Sequence, residues 1–359
     1  MASYDGWDRE YQENKQQYLE LFDKFMSQTN YENAEFFEKE FAERVGRKHV
    51  VSVASATDAL HFALLAHNIG AGDEVLVTDF SWISSSACIS MVGATPVFCD
   101  IDLASYHVSL SSIKRMYSEK TKAIIYTPLF GNMTDTSDIL EFCTANNIVF
   151  IEDSAQALGS SLHGIKAGTI GDCSVYSFNS NKVIAGINGG GVFMTDDADK
   201  ASLVRKIRRH GKDKDFSMIG FNSRTYVLNA EIINLRLQSA EKNQAVRQSI
   251  AQQYNKAFKH YPVHIQTESA GLNHNYHKYT VRFEDKNTRK RVKTALQASI
   301  HYENPLSTNS MYGNIEYRTD NCINSKIASD TILSLPVHAW LTQEEISSII
   351  TIVIQYVFE

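Results

Sequence analysis

The chain has 359 residues, 43% of them hydrophobic and 21% charged, which suffices for a large core and a smaller second lobe. With 41 acidic against 35 basic residues the formal net charge is −6, which argues against a nucleic-acid surface and gives no sign of a membrane footprint. The cysteines (Cys88, Cys99, Cys143, Cys173 and Cys322) are odd in number and lack CxxC spacing, so neither a disulfide framework nor a metal centre is expected.

Residues 1–20 are polar and charged, without the apolar core of a signal peptide, and no run reaches the length of a membrane span. A reduced, cytoplasmic setting is expected, and Cys88, Cys99 and Cys173, in apolar runs, read as buried thiols. Strands are expected at 50–53, 74–77, 95–99, 123–126, 148–151, 174–178 and 191–194, with crossover helices at 57–66 and 136–146. The strand runs are continuously apolar rather than alternating, as in a mostly parallel sheet covered by helices on both faces. This is an α/β pattern. From about residue 236 the texture changes: a polar helix at 241–259, a strand at 279–283, a helix at 288–298 and a closing helix at 341–357. In the last, Thr342 and Glu345 form a capping box, and Ile346, Ile349, Ile350, Val353 and Val357 share one face. Two domains are expected, a large α/β domain over 1–235 and a small α+β domain over 236–359.

Three segments carry chemistry. After the strand 50–53 the chain passes through small residues and a helix opens at Thr57. The first amides of a helix lack internal partners and lie at the positive end of its dipole, so Ala56 and Thr57 suit a phosphate; taken alone, Thr57 is equally an N-cap. At VFIEDSAQ, residues 149–156, a hydrophobic strand ends in acid. Ligands of α/β sheets sit past the carboxyl ends of strands, which puts Asp153 and Gln156 in place for one, although a strand-end Asp also caps turns. At SVYSFNSNK, residues 174–182, a strand delivers Ser177 and a short loop presents Lys182. Glycines at 186 and 189–191 then let the backbone approach a ligand. Lys182 stands among few charges and beside apolar residues. Burial or a neighbouring cation lowers a lysine pKa and makes the amine nucleophilic, whereas a surface lysine stays near about 10.4.

In this order, with the aromatic of Phe80-Ser81-Trp82 after a strand, the segments resemble the DegT/DnrJ-type sugar aminotransferases of the aspartate aminotransferase class (fold type I). The resemblance runs from about Phe36 to the C-terminus. It is carried by SATDAL from Ser55, GDEV from Gly72, GATPV from Gly93, IEDSAQALG from Ile151, Ala167-Gly168 with Gly171-Asp172, and Ser177-Phe178 to Lys182. Asn222-Ser223-Arg224, His301-Tyr302 with Pro305-Leu306, and LPVH from Leu335 complete it.

The resemblance implies a fold type I transferase that uses pyridoxal 5'-phosphate (PLP). Lys182 is then the Schiff-base lysine and proton shuttle, and Asp153 the partner of the pyridinium nitrogen that makes the ring an electron sink. It makes Gln156 the neighbour of the ring oxygen, Trp82 the stacked aromatic, and Ala56, Thr57 and Ser177 phosphate ligands. Asn222 resembles the asparagine that relatives insert into the partner subunit's phosphate site, which implies a homodimer with shared active sites. Asn179, His301, Tyr302 and His338 lie in segments that approach the substrate, and Arg209, in the basic run 206–212, suits an anionic substrate tail or is a solvated helix end. The sequence departs from the pattern where Ala56 replaces a glycine, Asn179 replaces a ring, and INGGG at 187–191 lacks the usual acid. An alanine at 56 is tolerated if φ there is negative.

The expected activity is transfer of an amino group from an amino acid, L-glutamate by resemblance, to a keto sugar, nucleotide-linked or free, in amino-sugar biosynthesis for a surface polysaccharide or glycosylated metabolite. A non-catalytic sensor or scaffold is an alternative. So is a sugar dehydratase of the same family, although those replace the lysine that this chain keeps. A dinucleotide oxidoreductase lacks its G-x-G-x-x-G.

Overall fold

In the computed structural model, which describes residues 6–27 and 34–358, the polar N-terminal stretch forms a helix, α1 (Trp7–Ser27), followed by α2 (Glu35–Val45). Strands and helices then alternate: β1 (His49–Val53), α3 (Ala56–Ala66), β2 (Glu74–Thr78), α4 (Ser84–Met91), β3 (Thr95–Cys99), α5 (Leu110–Met116), β4 (Thr121–Tyr126), α6 (Ser137–Ala145) and β5 (Val149–Asp153). A hairpin of β6 (Ser161–Leu162) and β7 (Ile165–Lys166) precedes β8 (Cys173–Ser177) and β9 (Gly191–Thr195). Helices α7 (Ala198–Ile207), α8 (Val227–Gln238) and α9 (Ala240–Phe258) follow. The remainder comprises β10 (Val263–Ile265), β11 (Leu272–Asn273), β12 (Tyr279–Phe283), α10 (Lys286–Leu296), β13 (Arg318–Thr319), α11 (Ile323–Thr331), β14 (Ile332–Leu335) and α12 (Gln343–Phe358).

Eight strands make one sheet in the order β1-β9-β8-β5-β4-β2-β3-β13. Only β9 runs against its neighbours, so β1, β8, β5, β4, β2, β3 and β13 all end at one edge. Alternate residues serve opposite faces. Val51, Val53, Val75, Val77, Ile125, Ile151 and Val175 pack under residues of α3, α4 and α7, whereas Val50, Tyr176, Val192 and Met194 meet α2 and α8. Burial on both faces explains the unbroken apolar runs of the sequence. The expected α/β class with a mostly parallel sheet is the observed one.

A second sheet, β10-β12-β14, packs with α9, α10 and α12 around Tyr254, Val281, Leu333, Ile349 and Val353. The capping box of α12 is reciprocal: the Glu345 amide donates to Thr342 Oγ1 at 3.2 Å and the Thr342 amide to Glu345 Oε2 at 2.9 Å. Several boundaries shift by a residue or two, and two of the shifts have a visible cause. β5 extends to Asp153 because that residue still registers with Val175 of β8, and α10 opens at Lys286 because Asp285 caps it, accepting from the amides of Asn287 and Thr288. Strand β13 returns to the far edge of the large sheet from within the region 236–359.

Under β1 lies a buried charge cluster. Glu38 of α2 accepts from the Ser52 amide at 2.9 Å and Ser52 Oγ at 2.8 Å, and pairs with Arg208, which also donates to the Ser52 carbonyl at 2.6 Å. Removing one member of a buried pair strands the other without water. Glu38→Ala should therefore lower unfolding free energy by about 3–5 kcal/mol in denaturant melts, and a loss below about 1 kcal/mol would contradict the role given to this cluster.

Candidate active site

The shared strand edge gathers the chemistry-bearing residues. Ser55 to Thr57 follow β1, Trp82 follows β2, Asp153 ends β5, Ser177 ends β8 and Gly191 opens β9. Ser55 is the N-cap of α3, its side chain accepting from the Asp58 amide, and Ala56 is the first helical residue. Ala56 thus has negative φ, and its methyl costs no strain. Thr57 Oγ1 meets Ser84 Oγ at 2.7 Å, which adds a second hydroxyl beside the helix opening. Gly191 passes so close behind that a Cβ there would lie 2.5 Å from the Ala56 nitrogen. The result is a cradle of backbone amides and hydroxyls at the positive end of a helix, suited to a phosphate.

Asp153 is buried, and Ser85 Oγ donates to its Oδ2 at 2.7 Å while the Ala155 amide donates to Oδ1 at 3.3 Å. Burial raises its pKa, and the Ser85 hydrogen bond, the Lys182 charge and the Ala155 amide oppose that rise. Lys182 sits at the end of a turn in which its amide donates to the Asn179 carbonyl at 2.9 Å. Burial pulls its amine down to about 8, against the pull of Asp153 in the other direction. An amine with a lowered pKa and a buried carboxylate whose partners oppose the rise in its own are thus held in one space. His277 and His301 face the same space. Burial and then the nearby lysines hold both in the neutral form, with His301 lowered to about 3.

Trp82 is 57% exposed, so it is no core tryptophan; its ring lies 6.2 Å from that of Tyr302. Gln156 is buried, accepts from the Phe130 amide at 3.1 Å and donates to Tyr302 Oη at 3.0 Å, so it braces the wall that carries Tyr302. Ser177 is buried and its Oγ accepts from the Asn179 amide at 3.3 Å. His301 meets Ser334 Oγ at 2.8 Å, and buried His338 lines the chamber of Lys182 with His277 and Lys278. Arg209 and Asn222 are exposed and joined by a backbone bridge at the base of one loop. That loop displays Phe216 at 71% and Ile219 at 92% exposure.

The chain matches the DegT/DnrJ/EryC1/StrS aminotransferase family over residues 9–354. It belongs to this family. It is 32% identical to a GDP-perosamine synthase of Caulobacter vibrioides over 88% of this chain and 87% of that protein. It is also 32% identical to a UDP-N-acetyl-3-dehydro-alpha-D-glucosamine 3-aminotransferase of Acidithiobacillus ferrooxidans, over 88% and 86%. The fold superposes on a DegT/DnrJ/EryC1/StrS aminotransferase from Brucella abortus with a TM-score of 0.92 at 26% identity, covering 100% of both chains. Like its family, this chain is an aminotransferase.

Two supports of the DegT-type site escaped the sequence reading. Ser84 and Ser85, in the run of three serines after Trp82, hold Thr57 and Asp153; the run itself was the available signal. Asn229, buried on α8, accepts from the Ile187 amide at 2.7 Å and donates to the Gly189 carbonyl at 2.9 Å, pinning the glycine loop where the usual acid is missing. An asparagine within the apolar stretch of a helix marked it. Among the described residues no group of three or more His, Cys, Asp or Glu suits a metal ion, and all five cysteines are buried and unbridged.

Gly191→Ala should push β9 from the first turn of α3, cost about 1–3 kcal/mol of stability, and weaken PLP binding more than binding of pyridoxal lacking the phosphate. Thermal melts and equilibrium titration with the two ligands check this; equal weakening of both would contradict the phosphate cradle.

Proposed function

We propose that this aminotransferase uses PLP to move an amino group from L-glutamate to the carbonyl of a nucleotide-linked keto sugar. The carrying observation is the desolvated Lys182 amine facing the buried carboxylate of Asp153 at the carboxyl edge of the sheet. The donor set fits the cofactor: an amine for its aldehyde, a buried carboxylate for a protonated ring nitrogen, an exposed indole at Trp82, and a cradle of Ala56, Thr57, Ser84 and Ser177 for its phosphate. When bound, PLP supplies an electron sink for the carbon that loses its proton.

The protein's part is positioning and proton transfer. Lys182 Nζ, neutral above about 8, is the base that takes a proton and, once charged, the acid that returns it. Asp153 would hold the ring-nitrogen proton, and the Ser85 hydrogen bond opposes the upward pull of burial on that carboxylate. Gln156 and Phe130 fix Tyr302, which with Trp82 forms an aromatic wall at the entrance. Amine and carbonyl oxygen exchange places between the two substrates, so glutamate leaves as its keto acid and the sugar leaves as an amine.

Sugar identity rests on the relatives, whose names specify nucleotide-linked sugars. Arg209, at the base of the exposed loop, supplies a cation for a diphosphate tail. The apolar tip of that loop, with Phe216, Ile219 and Phe221 exposed, supports a homodimer in which Asn222 reaches the partner's site. No helix among the described residues is long and apolar enough to cross a membrane, and we place the enzyme in the cytoplasm.

Nitrogen-labelled L-glutamate, offered with a panel of nucleotide-linked keto sugars, should place label in the product sugar with wild type and none with Lys182→Ala. The rate of PLP uptake by apoprotein should rise with pH through about 8 and then level off, since the neutral amine is the nucleophile. Label transfer by Lys182→Ala at the wild-type rate would sink this reading.

A further inference from the structure

The chamber of Lys182 has one wall that the sheet does not supply. It is lined by Asn181, Arg247, His277, Lys278, Leu335, Val337 and His338, and closed by Trp7 from the start of α1. Trp7 is held from several sides. Its Nε1 donates to the carbonyl of Ser180, two residues before Lys182, at 2.5 Å. The Arg236 guanidinium lies over its ring at 4.4 Å, and Trp340 packs at 6.2 Å. Arg236 also donates to the Ala185 carbonyl at 2.7 Å and pairs with Glu10 at 3.1 Å, so both ends of the lysine loop are tied to α1. On the other side, Arg9 grips Glu345 in a two-pronged pair at 2.6 and 2.8 Å and donates to the Trp340 carbonyl at 2.6 Å, while Trp340 Nε1 donates to Glu13 at 2.8 Å. Gly6, at φ +68°, lies so close to His338 that a Cβ there would fall 2.5 Å from the imidazole. Helix α1 is thus a clamp between the lysine loop and α12, with Trp7 at its tip.

We propose that Trp7 is a positioning residue for Lys182: its indole seals the α1 side of the lysine chamber and anchors the loop through Ser180, keeping water from the reactive amine. The inference rests on Lys182 being the amine that carries the cofactor. A desolvated amine resists protonation, and a path for water relieves that. The groups facing the amine are Asp153 from β5, Arg247 from α9, His277 and Lys278 ahead of β12, His301 after α10 and His338 after β14. Asp153 favours the charged amine and burial opposes it, so with Asp153 unchanged the seal is the variable that Trp7 controls.

Competitive acetylation of apoprotein across a pH series, with the Lys182 peptide quantified by mass spectrometry, reads the amine directly and without cofactor. Wild type should show a midpoint near 8. In Trp7→Ala it should rise by about 1 pH unit, a roughly tenfold smaller neutral fraction near neutrality, while Trp7→Phe, which restores a ring but not the Ser180 hydrogen bond, should recover most of the shift. A folded Trp7→Ala with the wild-type midpoint overturns the proposal. If Trp7→Ala does not fold, Arg9→Ala, which loosens α1 from Glu345 and Trp340, decides: a raised midpoint supports the seal and an unmoved one overturns it. PLP uptake is followed separately by visible absorbance. Wild type with the low midpoint but no uptake at Lys182 would count against the aminotransferase reading rather than against the seal.

Discussion

Everything at this site depends on keeping an amine and a carboxylate out of water in one space. Lys182 and Asp153 attract each other, and contact with bulk solvent would return each to its ordinary pKa. A desolvated lysine alone becomes a usable nucleophile, and a desolvated carboxylate alone becomes protonated. The structure gives the two groups different partners: Ser85 and the Ala155 amide donate to Asp153, whereas burial alone lowers Lys182 against the pull of Asp153. The same burial lowers the amine's pKa and raises the acid's, and the partners of Asp153 oppose that rise.

The sheet makes this arrangement possible because seven of its eight strands end at one edge. Each delivers at most a residue or two to the edge, and the first turn of α3 and the start of β9 fill the gap between them. The supports lie a layer further out: the Glu38–Arg208 cluster fixes β1, Asn229 fixes the glycine loop, and α1 bridges to α12. Loss of a support would move a reactive group without touching it.

Much of this was legible in the sequence. The continuous apolar runs gave the sheet because both faces are buried, and the strand-end acid and strand-loop lysine lie at the edge where ligands of such sheets bind. Ala56 was readable as harmless only once its φ was known, since a helix N1 residue and a left-handed turn look alike in sequence. Helix α1 escaped because it is tied down by distant partners, Arg236 and Trp340, which no local pattern encodes. Gln156 was read as a cofactor contact. Its amide also spans Phe130 and Tyr302, a pairing of residues 26 and 146 positions away that no local pattern encodes.

Family membership and the geometry agree on amine transfer, and the relatives' names differ in nucleotide and sugar. The most direct test of the central claim is borohydride reduction of the PLP-loaded protein followed by peptide mapping. The account predicts the cofactor fixed to the peptide containing Lys182. Cofactor fixed to another lysine, or to none, would contradict it.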